Sequence, residues 1–406
     1  MVKLVEKRTL KDVNICGNSF ESLTVFLDSN GNIIIAPLLY TIYLENLGEI
    51  IKCKEYEKGG ELYKELYEDS LSESSIPQYI GHIFNFFQYI EELNLLNEAP
   101  DVHHSYLIQA SLVNKYLNSY LPKHLTSASL SVHQASIRSY FYFLSKLGLI
   151  APMNIKISRK AKKLSFDNNR SKTKINYVST EERAALLHRC KTKRDRLLLR
   201  MGFEVGLRTS ENTGLLLQYK GNRDGYLLSL FDDLINPEKS HLEKFRYMLH
   251  GKFTKGGKSR WIFFSRSLLE AIRDYYLTER AIVLSEAKGK LDPDDLFLNA
   301  APGYKGDPIK ESRATDVFDK YRDMIDWMDQ TLSYHDLRHT FATELYQYEL
   351  INSEGGETRS QSSALITVAQ RLGHALGKDG RPTSVTTCYI RLKEVMLDVE
   401  GKNYAI

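Results

Sequence analysis

The chain has 406 residues, 42% apolar and 26% charged, with a formal net charge of +4. Length and composition together describe a soluble globular protein of two or three domains, each able to bury its own core. No run of 18 apolar residues occurs, which excludes an ordinary membrane-spanning helix. The segment Met1-Val2-Lys3-Leu4-Val5-Glu6-Lys7 lacks the apolar core of a signal peptide, so a cytoplasmic location is expected. Cys16, Cys53, Cys190 and Cys388 are scattered without a CxxC pair, as for reduced thiols rather than a disulfide framework or a zinc site.

Residues 1–35 read as an N-terminal β-hairpin extension, because Asn30-Gly31 separates two runs rich in β-branched residues. Residues 36–150 read as a helical bundle. Pro37 marks a helix start, and Ile80, Ile83, Phe84, Phe87 and Ile90 recur at helical spacing. Further helices are predicted over 106–120 and 127–147, with Phe141 in the core and Gly148 as a C-terminal cap. Lys123, His133, Arg138 and Lys146 are the polar candidates for nucleic-acid contact on this bundle.

Residues 151–176 hold eight basic side chains and one acid, a charge of +7, so the remainder of the chain sums to −3. Such a block between two globular patterns predicts a basic linker that tracks a phosphate backbone; the alternative is a solvated connector. A third region, 177–406, opens with a capping box formed by Ser179 and Glu182. Helix, a small antiparallel sheet over 221–264 with an insertion between 225 and 246, and further helices over 267–284, 312–329 and 334–350 follow.

The last quarter carries the chemistry. His335 and Arg338 share one helical face in Tyr334-His335-Asp336-Leu337-Arg338-His339. Leu372-Gly373-His374 adds another imidazole, and Thr386-Thr387-Cys388-Tyr389-Ile390 presents a phenol. A guanidinium, two imidazoles and a tyrosine suit reaction at a phosphodiester, where charge must be neutralised, protons moved and a nucleophile supplied. With Gly206-Leu207-Arg208-Thr209-Ser210-Glu211 and Thr254-Lys255-Gly256-Gly257-Lys258-Ser259-Arg260 upstream, the ordered set resembles the tyrosine recombinase (phage integrase) family. The resemblance covers roughly the last 230 residues well and the preceding bundle only by pattern.

The resemblance implies a mainly α fold with a small antiparallel β-sheet: an N-terminal helical core-binding domain and a mixed α+β catalytic domain. It implies Arg208, Lys255, His335, Arg338, His374 and Tyr389 as catalytic residues. Tyr389 would attack the phosphate, His335 would take its proton, and Arg208 and Arg338 would hold the nonbridging oxygens. His374 would hydrogen-bond the phosphate, and Lys255 would protonate the leaving 5′ oxygen; Lys252 and Lys258 are its rivals. Glu211 would orient Arg208 or a histidine, while Tyr334 and Cys388 read as packing residues. No cofactor or metal is expected. The partner implied is double-stranded DNA carrying recombination sites, acted on by a homotetramer, with accessory DNA-bending or directionality factors as further partners. His374 and Tyr389 lie fifteen positions apart, longer than the family pattern leads one to expect, and the tail 392–406 is a candidate helix for docking on a neighbouring protomer.

The activity implied is site-specific cleavage and rejoining of DNA through a 3′-phosphotyrosyl link, in integration or excision of a mobile element. Two alternatives stand beside it: a type IB topoisomerase with the same covalent chemistry, and a DNA-binding architectural protein without catalysis.

Overall fold

The structure, a computed structural model, describes residues 5–15, 17–168, 176–287, 289–351, 360–377, 379–381 and 396–397. It divides into two compact units, residues 1–174 and 175–406. The fold is mainly helical, with three separate two-stranded antiparallel sheets among the described residues. Among the described residues, no helix is long and apolar enough to cross a membrane.

In the first unit β1 (Glu6–Ile15) pairs with β2 (Asn18–Leu27), Glu6 opposite Leu27 and Ile15 opposite Asn18. The chain therefore reverses between Ile15 and Asn18 rather than at the expected Asn30-Gly31. That second turn does form: Asp28 Oδ1 accepts the N–H groups of Asn30 and Asn32 at 2.9 and 2.7 Å. It joins β2 only to a single bridged residue, Ile33. Inward residues of β2 meet the helices, with Phe26 edge-on to Phe84 at 5.5 Å.

Helix α1 (Ile35–Leu47) ends at Gly48, whose left-handed φ of 63° returns its N–H to Leu44 O. Where the sequence reading had helix, β3 (Glu49–Lys58) and β4 (Glu61–Ser70) form a long hairpin. Gly59-Gly60, both at positive φ, is its two-residue loop, a hairpin signal that the apolar spacing of the flanking helices had masked. The bundle itself consists of α2 (Ile76–Leu95), the short α3 (Ala110–Lys115) and α4 (Ser127–Lys146). Ser139 of α4 accepts from Tyr40 Oη at 2.8 Å and from the Ile51 amide at 3.0 Å, so one hydroxyl ties α1 and β3 to the core.

Three of the four polar candidates on this unit are spoken for within it. His133 is buried and stacked on His82 with ring centroids 3.6 Å apart. Arg138 Nε donates to Ile155 O at 2.7 Å, and Lys146 pairs with Glu68. Lys123 is exposed. The basic block is not wholly a connector either: α5 (Arg159–Asn168) buries Ala161 and Ser165 and bonds through Ser165 to Leu125 O. Its Arg159, Lys160, Lys162 and Lys163 remain exposed. Arg170, Lys172 and Lys174 lie outside the described residues.

The second unit starts with the capping box on α6 (Thr180–Arg189): Ser179 Oγ accepts the Glu182 amide at 3.1 Å, and Glu182 Oε2 accepts the Ser179 amide at 2.7 Å. Helix α7 (Lys193–Arg200) continues into a π-helical turn, Met201–Val205, that Gly206 closes with φ 74°. The segment expected to hold an insertion forms α8 (Leu227–Ile235). Strands β5 (Lys244–Leu249) and β6 (Arg260–Ser265) pair with Leu249 opposite Arg260, leaving a loop over 250–259. Tyr247 Oη donates to Gly214 O at 2.8 Å and accepts the Leu216 amide at 2.6 Å, fixing this hairpin against the segment after Arg208. Helices α9 (Arg266–Tyr275), α10 (Ala281–Glu286), α11 (Arg313–Arg322), α12 (Tyr334–Leu350) and α13 (Gln361–Leu372) follow.

Candidate active site

The segment after Gly206 is shaped by a close approach. A Cβ at Gly206 would lie 2.3 Å from Phe341 Cδ1, and its φ of 74° is itself disfavoured for other residues. Leaving that turn, Ser210–Gly214 makes one tight helical turn and buries Glu211 completely.

Glu211 gathers three guanidiniums from three distant parts of the unit. Arg208 reaches it with its amide, 2.8 Å from Oε2, and with Nη1, 2.8 Å from Oε1. Arg260 grips both oxygens end-on, at 2.8 and 2.7 Å. Arg338 places Nη1 3.4 Å from Oε2 and donates to Gly206 O with the same nitrogen and to Leu372 O with Nη2 at 2.6 Å. Burial would push the Glu211 carboxyl up, but the hydrogen bonds and charge of Arg260, the charge of Arg338 and the Arg208 amide hold it down at about 2. It is therefore ionised, and the four side chains together carry a formal charge of +2.

The two arginines expected to act together differ in exposure. Arg208 keeps 22% of its side chain open, whereas Arg338 keeps 1% and is bound to backbone carbonyls on both sides. Arg338 sits on α12 because Asp336 starts that helix: its Oδ2 accepts from the Ser333 amide and hydroxyl, both at 2.8 Å. One turn along, Leu337 packs its Cβ where a side chain on Gly202 would sit, 2.8 Å away, which seats α12 on the π-helical turn.

The histidines line the same cluster. His335 is exposed in the first turn of α12 with its ring 4.5 Å edge-on from that of His339. Partial desolvation, then the charges of Arg338 and Arg208, hold its pKa below the ordinary value. His374 follows Gly373, the left-handed cap of α13, and returns its amide to Ala369 O at 2.8 Å. Its pKa is about 4, through burial and then the charges of Arg338, Arg208 and Arg260. His339 is at about 3, through burial, His335 and Arg338. All three imidazoles are thus neutral near pH 7.

Lys255 is exposed in the 250–259 loop, with Lys252 and Lys258 also exposed beside it. Gly251 lets that loop fold tightly, since a Cβ there would lie 2.2 Å from Gly257 O. β5 ends at Leu249 and β6 begins at Arg260, so Lys255 rides a ten-residue loop. Tyr389, Cys388 and their neighbours lie outside the described residues. The rival phenol, Tyr334, is buried; its hydroxyl donates to Leu198 O at 3.1 Å and accepts from Asn212 Nδ2 at 3.0 Å, and burial raises its pKa. It is a packing residue.

Arg260 is the residue that reading the sequence passed over. Its local signal is its place just after the Lys-Gly-Gly-Lys turn, as the first residue of β6; the structure leaves 8% of its side chain exposed. The backbone of Gly373 lies against it, since a Cβ there would be 3.0 Å from Arg260 Cδ.

Residues 176–351 match the phage integrase family. The transposase A of transposon Tn554 from Staphylococcus aureus strain Mu50 is 28% identical over 204 residues, 50% of this chain and 46% of that protein. The chain thus spans about half the length of that relative. The tyrosine recombinase XerC of Chlorobaculum tepidum is 23% identical over 323 residues, 75% of this chain and 83% of the relative. Among solved structures, XerH recombinase bound to a palindromic difH substrate shares the fold with a TM-score of 0.51 at 18% identity, over 80% of each chain. The match to the phage integrase family thus covers the segment that holds Arg208, Glu211, Arg260, His335 and Arg338.

Proposed function

We propose that this protein is a site-specific DNA recombinase that cuts and rejoins strands through a 3′-phosphotyrosyl intermediate, in the service of a mobile element. The observation that carries this reading is the +2 cluster of Arg208, Glu211, Arg260 and Arg338, flanked by neutral imidazoles. A preorganised cationic cluster with little water around it favours a phosphate whose negative charge grows as the bond order to phosphorus changes. Similarity to a transposase and to XerC supports the recombinase and mobile-element sense of the reading.

In this scheme the Tyr389 oxygen bonds to phosphorus and gives its proton to His335, a neutral imidazole at the open end of the cluster. The bond from phosphorus to the 5′ oxygen breaks, and Lys255 protonates that oxygen. A 5′ hydroxyl from a partner strand then reverses both transfers and releases the tyrosine, so the phosphoester bond energy is conserved. Recombination joins two duplexes, so the partner is double-stranded DNA carrying the sites and the working form is a homotetramer.

The test uses purified protein and a pool of nicked duplexes, resolved on a denaturing gel. A covalent adduct forms with the wild-type chain and is lost in Tyr389→Phe while DNA binding persists. An adduct that survives Tyr389→Phe would assign the nucleophile elsewhere. Relaxation of any supercoiled plasmid, without dependence on a defined site, would move the reading to a topoisomerase.

A further inference from the structure

Arg260 and Arg208 compete for the same carboxylate. A carboxylate offers about four lone-pair positions in its plane. Around Glu211 these are taken by the Arg208 amide, one terminal nitrogen of Arg208 and both terminal nitrogens of Arg260, with Arg338 at the margin. A guanidinium three residues away would otherwise settle as a two-pronged fork, the strongest geometry available to it. Arg208 does not: its side chain touches Glu211 through Nη1 alone and keeps 22% of its surface open. The fork belongs to Arg260, which is pinned from the other side by the backbone of Gly373.

We propose that Arg260 is a positioning residue: by holding Glu211 as a fork it limits Arg208 to one contact and leaves the remaining Arg208 N–H groups for the phosphate. The inference rests on the phosphate-binding reading above and adds to it how the arginine cluster is kept open. It also explains why an acid can lie beside the phosphate-binding arginine without capturing it. Arg260, the first residue of β6, links this function to the loop that bears Lys255.

Arg260→Lys tests it, because lysine keeps the charge and cannot form a planar fork. Single-turnover adduct formation on nicked DNA is expected to slow about tenfold, less than the hundredfold or more expected when a preorganised cation is itself removed. Glu211→Gln added to Arg260→Lys is expected to restore most of that rate, since an uncharged amide no longer draws Arg208 in. Thermal unfolding is followed in parallel, and a merely structural Arg260 would give two losses that add. The proposal is overturned if Arg260→Lys reacts at the wild-type rate, or if the double variant is slower than either single one. Should the wild-type chain form no adduct in the same gel, the recombinase reading falls and this inference with it; a wild-type adduct beside an unaffected Arg260→Lys removes the inference alone.

Discussion

The guanidinium of Arg338 is bonded to the carbonyl of Gly206, the one residue whose missing side chain lets Phe341, on the same helix as Arg338, close over that turn. The bond spans 132 positions of sequence. It locks α12 to the end of the π-helical turn, so the glycine in the Gly-Leu-Arg motif and the arginine in the His-x-x-Arg motif form a single unit.

Gly206→Ala should therefore destabilise the second unit. The new methyl would meet Phe341 at 2.3 Å and hold a backbone at φ 74°. Strain plus overpacking predicts a loss of about 2–4 kcal/mol. Both tryptophans of the chain, Trp261 and Trp327, lie in the second unit, so fluorescence-detected unfolding reads it selectively. An unchanged melt would mean that Phe341 yields freely.

Glu211 sets an acid limit. Its folded pKa, about 2, lies below its ordinary 4.5. A carboxyl with a depressed folded value contributes stability that is complete above about 4.5 and is lost as pH falls toward 2. The size is on the order of 3 kcal/mol at neutral pH. Denaturation at a series of pH values should show this fall in the wild-type protein and a flatter profile in Glu211→Gln. Equal slopes would deny the carboxylate its role.

The imidazoles act at higher pH. His339 and His374 titrate at about 3 and about 4 when folded, against 6.5 ordinarily. The unfolded chain takes up their protons first, so stability begins to fall below about pH 6.5 and goes on falling toward their folded values. Imidazole nitrogen shifts in labelled protein should stay constant for both residues between pH 5 and 8. A titration near 6.5 at either would contradict their burial beside the arginines.

Lys255 can be separated from Lys252 and Lys258 by chemistry. Lys255→Ala should slow adduct formation by about a hundredfold or more on an ordinary phosphodiester. Replacing the 5′ bridging oxygen with sulfur, whose thiolate leaves without protonation, should restore the rate. Alanine at Lys252 or Lys258 should give neither the defect nor the rescue. Rescue at one of those positions instead would reassign the proton donor.

Much of this protein is written locally. The capping box at Ser179 and Glu182 and the small antiparallel sheet within 221–264 are set by near neighbours, and both form as their residues predict. The chemistry-bearing residue types, too, stand in motifs whose order can be read along the chain. Local signals compete, however, and there the reading failed. Gly59-Gly60 specified a hairpin inside a region dominated by helical spacing, and the first hairpin pairs Ile15 with Asn18 rather than reversing at Asn30-Gly31.

What tertiary structure alone decided is how the arginines are used. Nothing around Arg338 in sequence says that its side chain is buried and spent on two carbonyls, or that Arg260 rather than Arg208 owns the fork on Glu211. Those outcomes depend on contacts between residues 34, 49 and 132 positions apart, and on the missing Cβ of Gly206 and Gly373 at points of closest approach. Sequence spacing reports which side chains share a face of one element. Which of several like charges captures a buried carboxylate is settled only when separate elements pack and water is removed from between them.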